Sequence, residues 1–292
     1  MENPTRALRR RPRVVLAALA AVVAVVLLVV ILGRSPTAPQ AQEPRAVVWA
    51  VGDAADGSPG SIALAALITS APSDRFLYLG DVYARGTASE FRDNYASVFG
   101  RLAPKTAPTP GNHEWPNHAT GYDPYWTRVH GRRQPAYYSF SVAGWRIFSL
   151  NSEASHGAGS AQLRWVKDRL GRGNCRIAFW HRPRFSAGRV HGDQPDMDAL
   201  WRALRGHATL VLSGHDHNSQ RFKPRDGIVQ LVAGAGRGGE PLYPLRRDAR
   251  LAFGDARELA ALRLTLTPGR ARFAFVGADG SRLNVGEVPC RA

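Results

Sequence analysis

Five short segments of the chain carry residue types that bind metals and move protons. They read Gly52-Asp53, Gly80-Asp81-Val82-Tyr83, Gly111-Asn112-His113-Glu114, His181 and Gly214-His215-Asp216-His217. Carboxylate, amide and imidazole donors without thiolates suit hard and borderline divalent ions. A carboxylate such as Asp81 has two oxygens and can bridge two ions about 3.5–4 Å apart. Such a pair binds phosphate, generates hydroxide near neutral pH and clamps both the attacking and the leaving oxygen. Taken singly, each segment has an ordinary explanation, because Gly-Asp and Gly-Asn are common turn pairs. Turns do not account for all five in series, each placed where a strand ends. Together they predict a metal site.

The elements that position them are short. Ala46–Val51, Phe76–Leu79, Ile177–Trp180 and Thr209–Leu212 read as buried strands, most of them bounded by Gly, Pro or Asp. Thr87-Ala-Ser-Glu90 is a capping box that opens a helical face of Phe91, Tyr95, Val98 and Phe99, stopping at Gly100. Leu163, Val166 and Leu170 form a second stripe ending at Gly171; Met197, Leu200, Trp201 and Leu204 form a third ending at Gly206. Past Gly227 the pattern turns to strands at Ile228–Val232, Leu262–Leu266 and Arg272–Val276. This alternation predicts one α/β domain over residues 45–292, with a second sheet or an antiparallel edge contributed by the late strands. In such sheets ligands bind at the carboxyl ends of strands, which is where the five segments fall.

Taken in order, the five segments resemble the calcineurin-like metallophosphoesterase superfamily over about Ala46 to Phe222, most closely its purple acid phosphatase-like branch, which is marked by GDxG, GDxxY, GNHE, a strand-end His and GHxH. The resemblance implies a four-layer α/β/β/α sandwich of two mixed sheets. It also implies a dinuclear centre of two divalent or trivalent ions (Zn, Mn or Fe) at one sheet edge. Carried over residue by residue, Asp53 and His217 hold the first metal, Asp81 bridges both, and Asn112, His181 and His215 hold the second. His113 then stands beside the substrate as proton donor or phosphate contact, with Glu114 either orienting it or serving as a neutral turn residue. Two departures stand out. Asp53-Ala54-Ala55 lacks both the DxH histidine and the Gly of GDxG, and Tyr83 follows Asp81 by two residues where the family places its tyrosine at three. An extended segment would point Tyr83 the same way as Asp81. A sharp turn would instead pack the ring at the pocket rim beside the Thr87 helix, and the expectation is that second arrangement, with a colourless site.

Other candidates carry weaker signals. Asn151 and Glu153 follow a strand ending at Leu150 and are expected to make loop hydrogen bonds, with pocket lining as the alternative. Arg184 and His191, in the Gly/Pro-rich loop after His181, are candidate contacts to substrate phosphate. Asp216 is expected to be solvated, and His118, His130, His156 and His207 to be structural or solvated.

Composition bounds the rest. At 292 residues, 44% hydrophobic and 21% charged, the chain is neither disordered nor collagen-like. The net charge is +16, and all but three of the 39 basic residues are Arg. Residues 1–44 account for +4, leaving 33 basic against 21 acidic residues beyond them. That field favours anionic partners. No basic run with interleaved aromatics occurs in residues 45–292, so no specific nucleic-acid partner is expected.

Val14 to Leu32 is an unbroken run of 19 apolar residues preceded by five Arg and followed closely by Arg34 alone. As a helix it would cover about 28 Å, nearly a bilayer core. The charge asymmetry predicts a basic cytoplasmic tail at 1–13, a transmembrane signal-anchor at 14–32, a Pro-rich linker at 33–44 and an extracytoplasmic domain. A cleaved signal and secretion is the alternative. In that oxidising setting Cys175 and Cys290 are a candidate disulfide, two free thiols being the other possibility.

These readings predict a membrane-anchored phosphoesterase acting on phosphorylated small molecules, with monoesters ahead of diesters and the oligomeric state open. The rival, of a different class, is a catalytically degenerate surface protein of the same fold that holds anionic envelope polymer.

Overall fold

The computed structural model describes residues 43–290 except 172 and 174. The basic tail, the apolar run and most of the linker lie outside the described residues. Among those described, no helix is long and apolar enough to cross a membrane.

Strand β1 (Ala46–Val51) sets the layering. Val48 and Ala50 face one core cluster while Trp49 and Val51 face another, as the two-residue period of a strand requires. Helix α1 (Pro59–Ser70) follows, capped by Ser58, then β2 (Arg75–Tyr78). The capping box at Thr87 forms as the sequence predicts and opens the helical segment α2, which comprises Ala88–Glu90, a π-helical stretch Phe91–Ala96, and Ser97–Phe99. Then come β3 (Thr106–Pro108), α3 (Tyr122–His130), β4 (Tyr138–Val142), β5 (Trp145–Ser149), α4 (Ala161–Arg169) and β6 (Cys175–Phe179). The remainder is α5 (Asp198–Leu204), β7 (Leu210–Ser213), β8 (Ser219–Phe222), β9 (Val229–Ala233), β10 (Leu251–Asp255), β11 (Ala260–Thr267), β12 (Arg270–Gly277) and β13 (Arg282–Pro289).

Two mixed sheets result, in the orders β13-β12-β11-β1-β2-β3 and β10-β8-β9-β7-β6-β5-β4. The parallel runs are β1-β2-β3 in the first and β5-β6-β7-β9 in the second. Leu77, Leu79, Ile177, Phe179, Leu212 and Leu264 fill the space between the sheets. The helices α1 to α3 cover the far side of the first sheet through Leu64, Ile68, Tyr95 and Trp126. On the far side of the second, α4 and α5 pack Val166, Leu200 and Trp201. Helices, sheet, sheet and helices thus form the layers, and each predicted strand lies within two residues of its expected bounds.

The sequence reading lacked α1, α3, β3, β4, β8, β10 and β13. Helix α1 escapes because it has no single apolar stripe: IALAALI is apolar nearly all round. Cys175, at the start of β6, is bonded to Cys290 just past β13, with a Cα–Cα distance of 5.2 Å, so the bridge joins one sheet to the other.

Candidate metal centre

Loops after five strands meet at one end of the two sheets. Gly52-Asp53 follows β1, Gly80–Tyr83 follows β2, Gly111–Glu114 follows β3, His181 follows β6 and Gly214–His217 follows β7. Space explains two of the motif glycines. A Cβ at Gly80, where φ is +97°, would stand 2.6 Å from His181 Nδ1, and one at Gly111 would stand 2.1 Å from Asp81 Oδ1. Asp53, Asp81 and His215 themselves take φ of 63°, 68° and 69°. Such conformations cost a non-glycine residue on the order of 1–3 kcal/mol and collect where function over-determines the backbone.

One group of donors centres on His181. Its Nε2 lies 3.3 Å from Asp81 Oδ2, 3.2 Å from Asn112 Oδ1 and 3.1 Å from His215 Nδ1. Asp81, His181 and His215 are buried and offer ligand atoms all within 4.8 Å of one another. Ligands about 2.1 Å from a common ion stand roughly 3.0–3.4 Å apart in octahedral or tetrahedral arrangements, so these spacings fit. His181 Nδ1 donates to the Leu79 carbonyl at 2.8 Å, which turns the Nε2 lone pair into the site.

A second group centres on Tyr83. Its Oη lies 3.0 Å from Asp53 Oδ1, 2.8 Å from His217 Nε2 and 3.3 Å from Asp81 Oδ2. The expectation that this ring packs at the rim beside the Thr87 helix is overturned: Tyr83 is only 3% exposed and its hydroxyl enters the donor set. The chain does turn at Asp81. It is then drawn straight again by a parallel bridge between Ala55 and Val82 and by the bond from Tyr83 N to Ala55 O at 2.9 Å. Ala55, the departure from the family motif, thus serves through its backbone. The Tyr83 ring lies under the Arg237 guanidinium, 4.1 Å from its centroid, and beside the His113 ring at 4.5 Å.

The electrostatics favour a cation. Burial opposes charge on both Asp81 and His181, yet their mutual attraction wins: Asp81 is held well below the usual carboxylate range and His181 is pushed up to about 10. Burial, then the neighbouring His181 and His191, push His215 far down, so it is a neutral donor. Burial and the carboxylates of Asp53 and Asp81 hold the Tyr83 phenol well above its ordinary value. His215 Nε2 and His217 Nδ1 are buried without hydrogen-bond partners. The imidazole, amide, phenol and carboxylate atoms that converge at 2.8 to 3.3 Å from one another fit a metal.

His113 stands at the mouth. Its backbone N–H donates to Asp81 Oδ1 at 3.0 Å, its Nδ1 to the Ala84 carbonyl at 2.6 Å, and its Nε2 lies 3.8 Å from Asp81 Oδ2. Glu114 does not orient it, contrary to the first of its two sequence readings. The Glu114 carboxylate is buried and accepts the backbone N–H groups of Asp81 at 3.1 Å and Val82 at 3.2 Å. Burial and the nearby Asp81 charge push it up to about 8.

The remaining expectations fare differently. Arg184 is engaged by Asp198 at 2.9 Å and lies over the Phe185 ring. Asp216 is fully buried rather than solvated: it faces the loop of Ser186, Gly188 and His191, where a Cβ on Gly188 would fall 2.2 Å from its Oδ1, and burial pushes it up to about 6. His191 does reach the site, its ring stacked on His215 at 4.0 Å. Asn151 accepts from Glu153 N and Ala154 N, and Glu153 grips Arg182 at 2.9 Å, so both make loop bonds. His118 pairs with Asp123, His130 with Gln134, and His156 with the Ala154 carbonyl.

Sequence reasoning missed Arg237 and Tyr243. Both belong to the loop after β9, where the Tyr243 ring stacks on His217 at 4.0 Å. The signal was available: Gly234-Ala-Gly236 closes a strand as the other site glycines do.

A family model described as calcineurin-like phosphoesterase matches residues 40–219. Purple acid phosphatase 21 of Arabidopsis thaliana is 29% identical over 172 residues, covering 52% of this chain and 39% of that protein. The chain therefore spans about two fifths of that relative's length. Among solved structures, a purple acid phosphatase from yellow lupin (Lupinus luteus) seeds superposes with a TM-score of 0.70 at 16% identity, covering 85% of this chain and 54% of that one. GAP50, the anchor in the inner membrane complex of Plasmodium, also gives 0.70, at 14% identity over 86% and 90% of the two chains. At these identities the two structures bear on the fold.

Proposed function

Because the chain belongs to the calcineurin-like phosphoesterase family, whose members are metal-dependent phosphoester hydrolases, we propose that it is a membrane-anchored, extracytoplasmic phosphatase with a dinuclear centre. One observation carries the dinuclear reading. Asp81 Oδ2 is 3.3 Å from His181 Nε2 and also 3.3 Å from Tyr83 Oη, so one oxygen belongs to both donor groups. Asp53, Tyr83 and His217 would hold one ion, Asn112, His181 and His215 the other, with Asp81 between them. Two cations there would supply a strong nucleophile from water at neutral pH and neutralise a phosphoryl group.

The chain's own residues do the rest. His113, fixed through Nδ1 by the Ala84 carbonyl, presents Nε2 at the mouth, where it protonates the departing alcohol oxygen. Glu114 holds the turn that aims Asp81. His191 and Tyr243, stacked on the liganding imidazoles, wall the pocket and keep those rings in place. The preference for monoesters follows the purple acid phosphatase likeness. The Val14–Leu32 run supports anchoring, and the Cys175–Cys290 bridge supports an oxidising compartment.

Hydrolysis of an aryl phosphate monoester and the matching diester by the purified full chain, with zinc, manganese or iron and with chelator, tests the reading. Metal-dependent release, faster from the monoester, is expected. Inactivity with every metal rejects the phosphatase, and a faster diester rejects the preference. Protease treatment of intact cells that leaves residues 45–292 undigested would reject the extracytoplasmic placement.

A further inference from the structure

The first sheet leaves part of its outer face open. Beyond the helices, β11, β12 and β13 turn Arg263, Arg272, Arg282 and Val285 away from the core, around a concavity of about 580 Å³. Strand register arranges these side chains in rows. Trp49 pairs with Arg263, Arg263 with Ala274, and Ala274 with Val285, while Thr265, Arg272 and Glu287 form the next row. Arg45, at the entry to β1, and Arg270, at the start of β12, line the adjoining hollow.

Charge on this face is one-sided. Glu287 is the acid within it and pairs with Arg270 and Arg272. Arg45, Arg263 and Arg282 make no ion pair among the described residues. They are close enough to repel: beyond the effect of burial, Arg45 and Arg282 hold the Arg263 guanidinium below its ordinary value. Amid these cations Val285 is 56% exposed, one of three large apolar side chains so exposed among the described residues. Arginines around an exposed aliphatic group match a lipid interface, with cations at the headgroup phosphates and the apolar group beneath them.

We propose that this arginine-rich face docks on an anionic phospholipid surface. The inference rests on the reading of Val14–Leu32 as a membrane anchor. The sequence leaves ten residues between Leu32 and Glu43, an extended reach of about 35 Å, so the membrane is accessible to Arg45. Arg45 and the Asp53 loop stand at opposite ends of β1, about 20 Å apart.

Hydroxyl-radical footprinting of the full chain in lipid nanodiscs tests the proposal. Discs of phosphatidylcholine are compared with discs in which about a third of the lipid is phosphatidylglycerol. Val285 labelling is expected to fall severalfold in the anionic discs and to recover at high salt, where the field is screened. Val190, 53% exposed on the loop before His191, serves as the unprotected control. The variant Arg45→Glu/Arg282→Glu, which breaks no ion pair, is expected to remain in the discs with Val285 fully labelled. Incorporated chain whose Val285 labels equally in both lipids overturns the docking face and leaves the anchor intact. Protection that persists in the double variant also overturns it. A chain that enters neither disc overturns the anchored reading, and this proposal with it.

Discussion

The Tyr83 hydroxyl stands 2.8 Å from His217 Nε2 and 3.0 Å from Asp53 Oδ1, two atoms that are themselves 3.5 Å apart. A phenol that closes such a triangle of donors is placed where a ligand would stand. Ferric iron in contact with a phenolate absorbs visible light through charge transfer. Iron-loaded protein is therefore expected to be coloured and Tyr83→Phe colourless, with the ring still seated under Arg237. A colourless iron-loaded parent protein would remove Tyr83 from the donor set.

Asp81 serves both donor groups, whereas Asn112 serves one. Asp81→Ala is expected to lose most of both metals and nearly all turnover. Asn112→Ala should lose one metal and recover in part with excess ion. Elemental analysis decides, and two equivalents retained by Asp81→Ala would end the bridging assignment.

His113 separates chemistry from metal binding. Its Ala variant should keep near-normal metal content while kcat falls by about 10²–10⁴, the usual worth of a positioned acid or base. Parallel loss of metal would make it a ligand instead.

Glu114 acts through the backbone. Glu114→Ala leaves two buried N–H groups unpaired, at a cost of about 1–3 kcal/mol each. The Asp81 turn should loosen and metal affinity fall by about 10–100-fold, the effect of losing a group that orients a ligand. Denaturant melts and metal titration measure the two effects, and unchanged affinity would reduce Glu114 to a purely structural part.

Arg250 ties Asp193, on the His191 loop, to Asp248 through contacts of 2.7 and 2.6 Å. Against partial burial, hydrogen bonds from Arg250 and Ser186 and the Arg250 charge hold Asp193 below the usual 3.8; a hydrogen bond from Arg250 first, and then its charge, do the same for Asp248. Depressed carboxylates stabilise the fold fully above the ordinary value and lose that contribution as pH falls through the folded one. Arg250→Met should therefore cost about 1 kcal/mol at neutral pH, after allowance for solvent screening. The gap between the two proteins should close in acid. A gap that is constant with pH would show the loss to be one of packing alone.

The candidate site of this protein was legible in its sequence because strand-end motifs are local. Gly-Asp, Gly-Asn-His and Gly-His-Asp-His each announce a short turn; at Gly80, Gly111 and Gly214 a Cβ would crowd His181, Asp81 and Asp53 in turn, and the structure brings all five segments together. The strands and the stripes of Leu163 and Leu200 were legible for the same reason: period and caps are written in neighbouring residues. What the sequence could not decide depends on distant partners. The aim of Tyr83 follows from the bridge of Val82 to Ala55, 27 residues before it, and from Arg237, on a loop far later in the chain. Arg184 was engaged by Asp198, and Asp216 was buried by a loop that closes over it. Glu114 found its acceptor role only where β2 and β3 lie side by side. Spacing fixes which residues can turn together, whereas the packing of separate loops decides which atom each side chain finally meets.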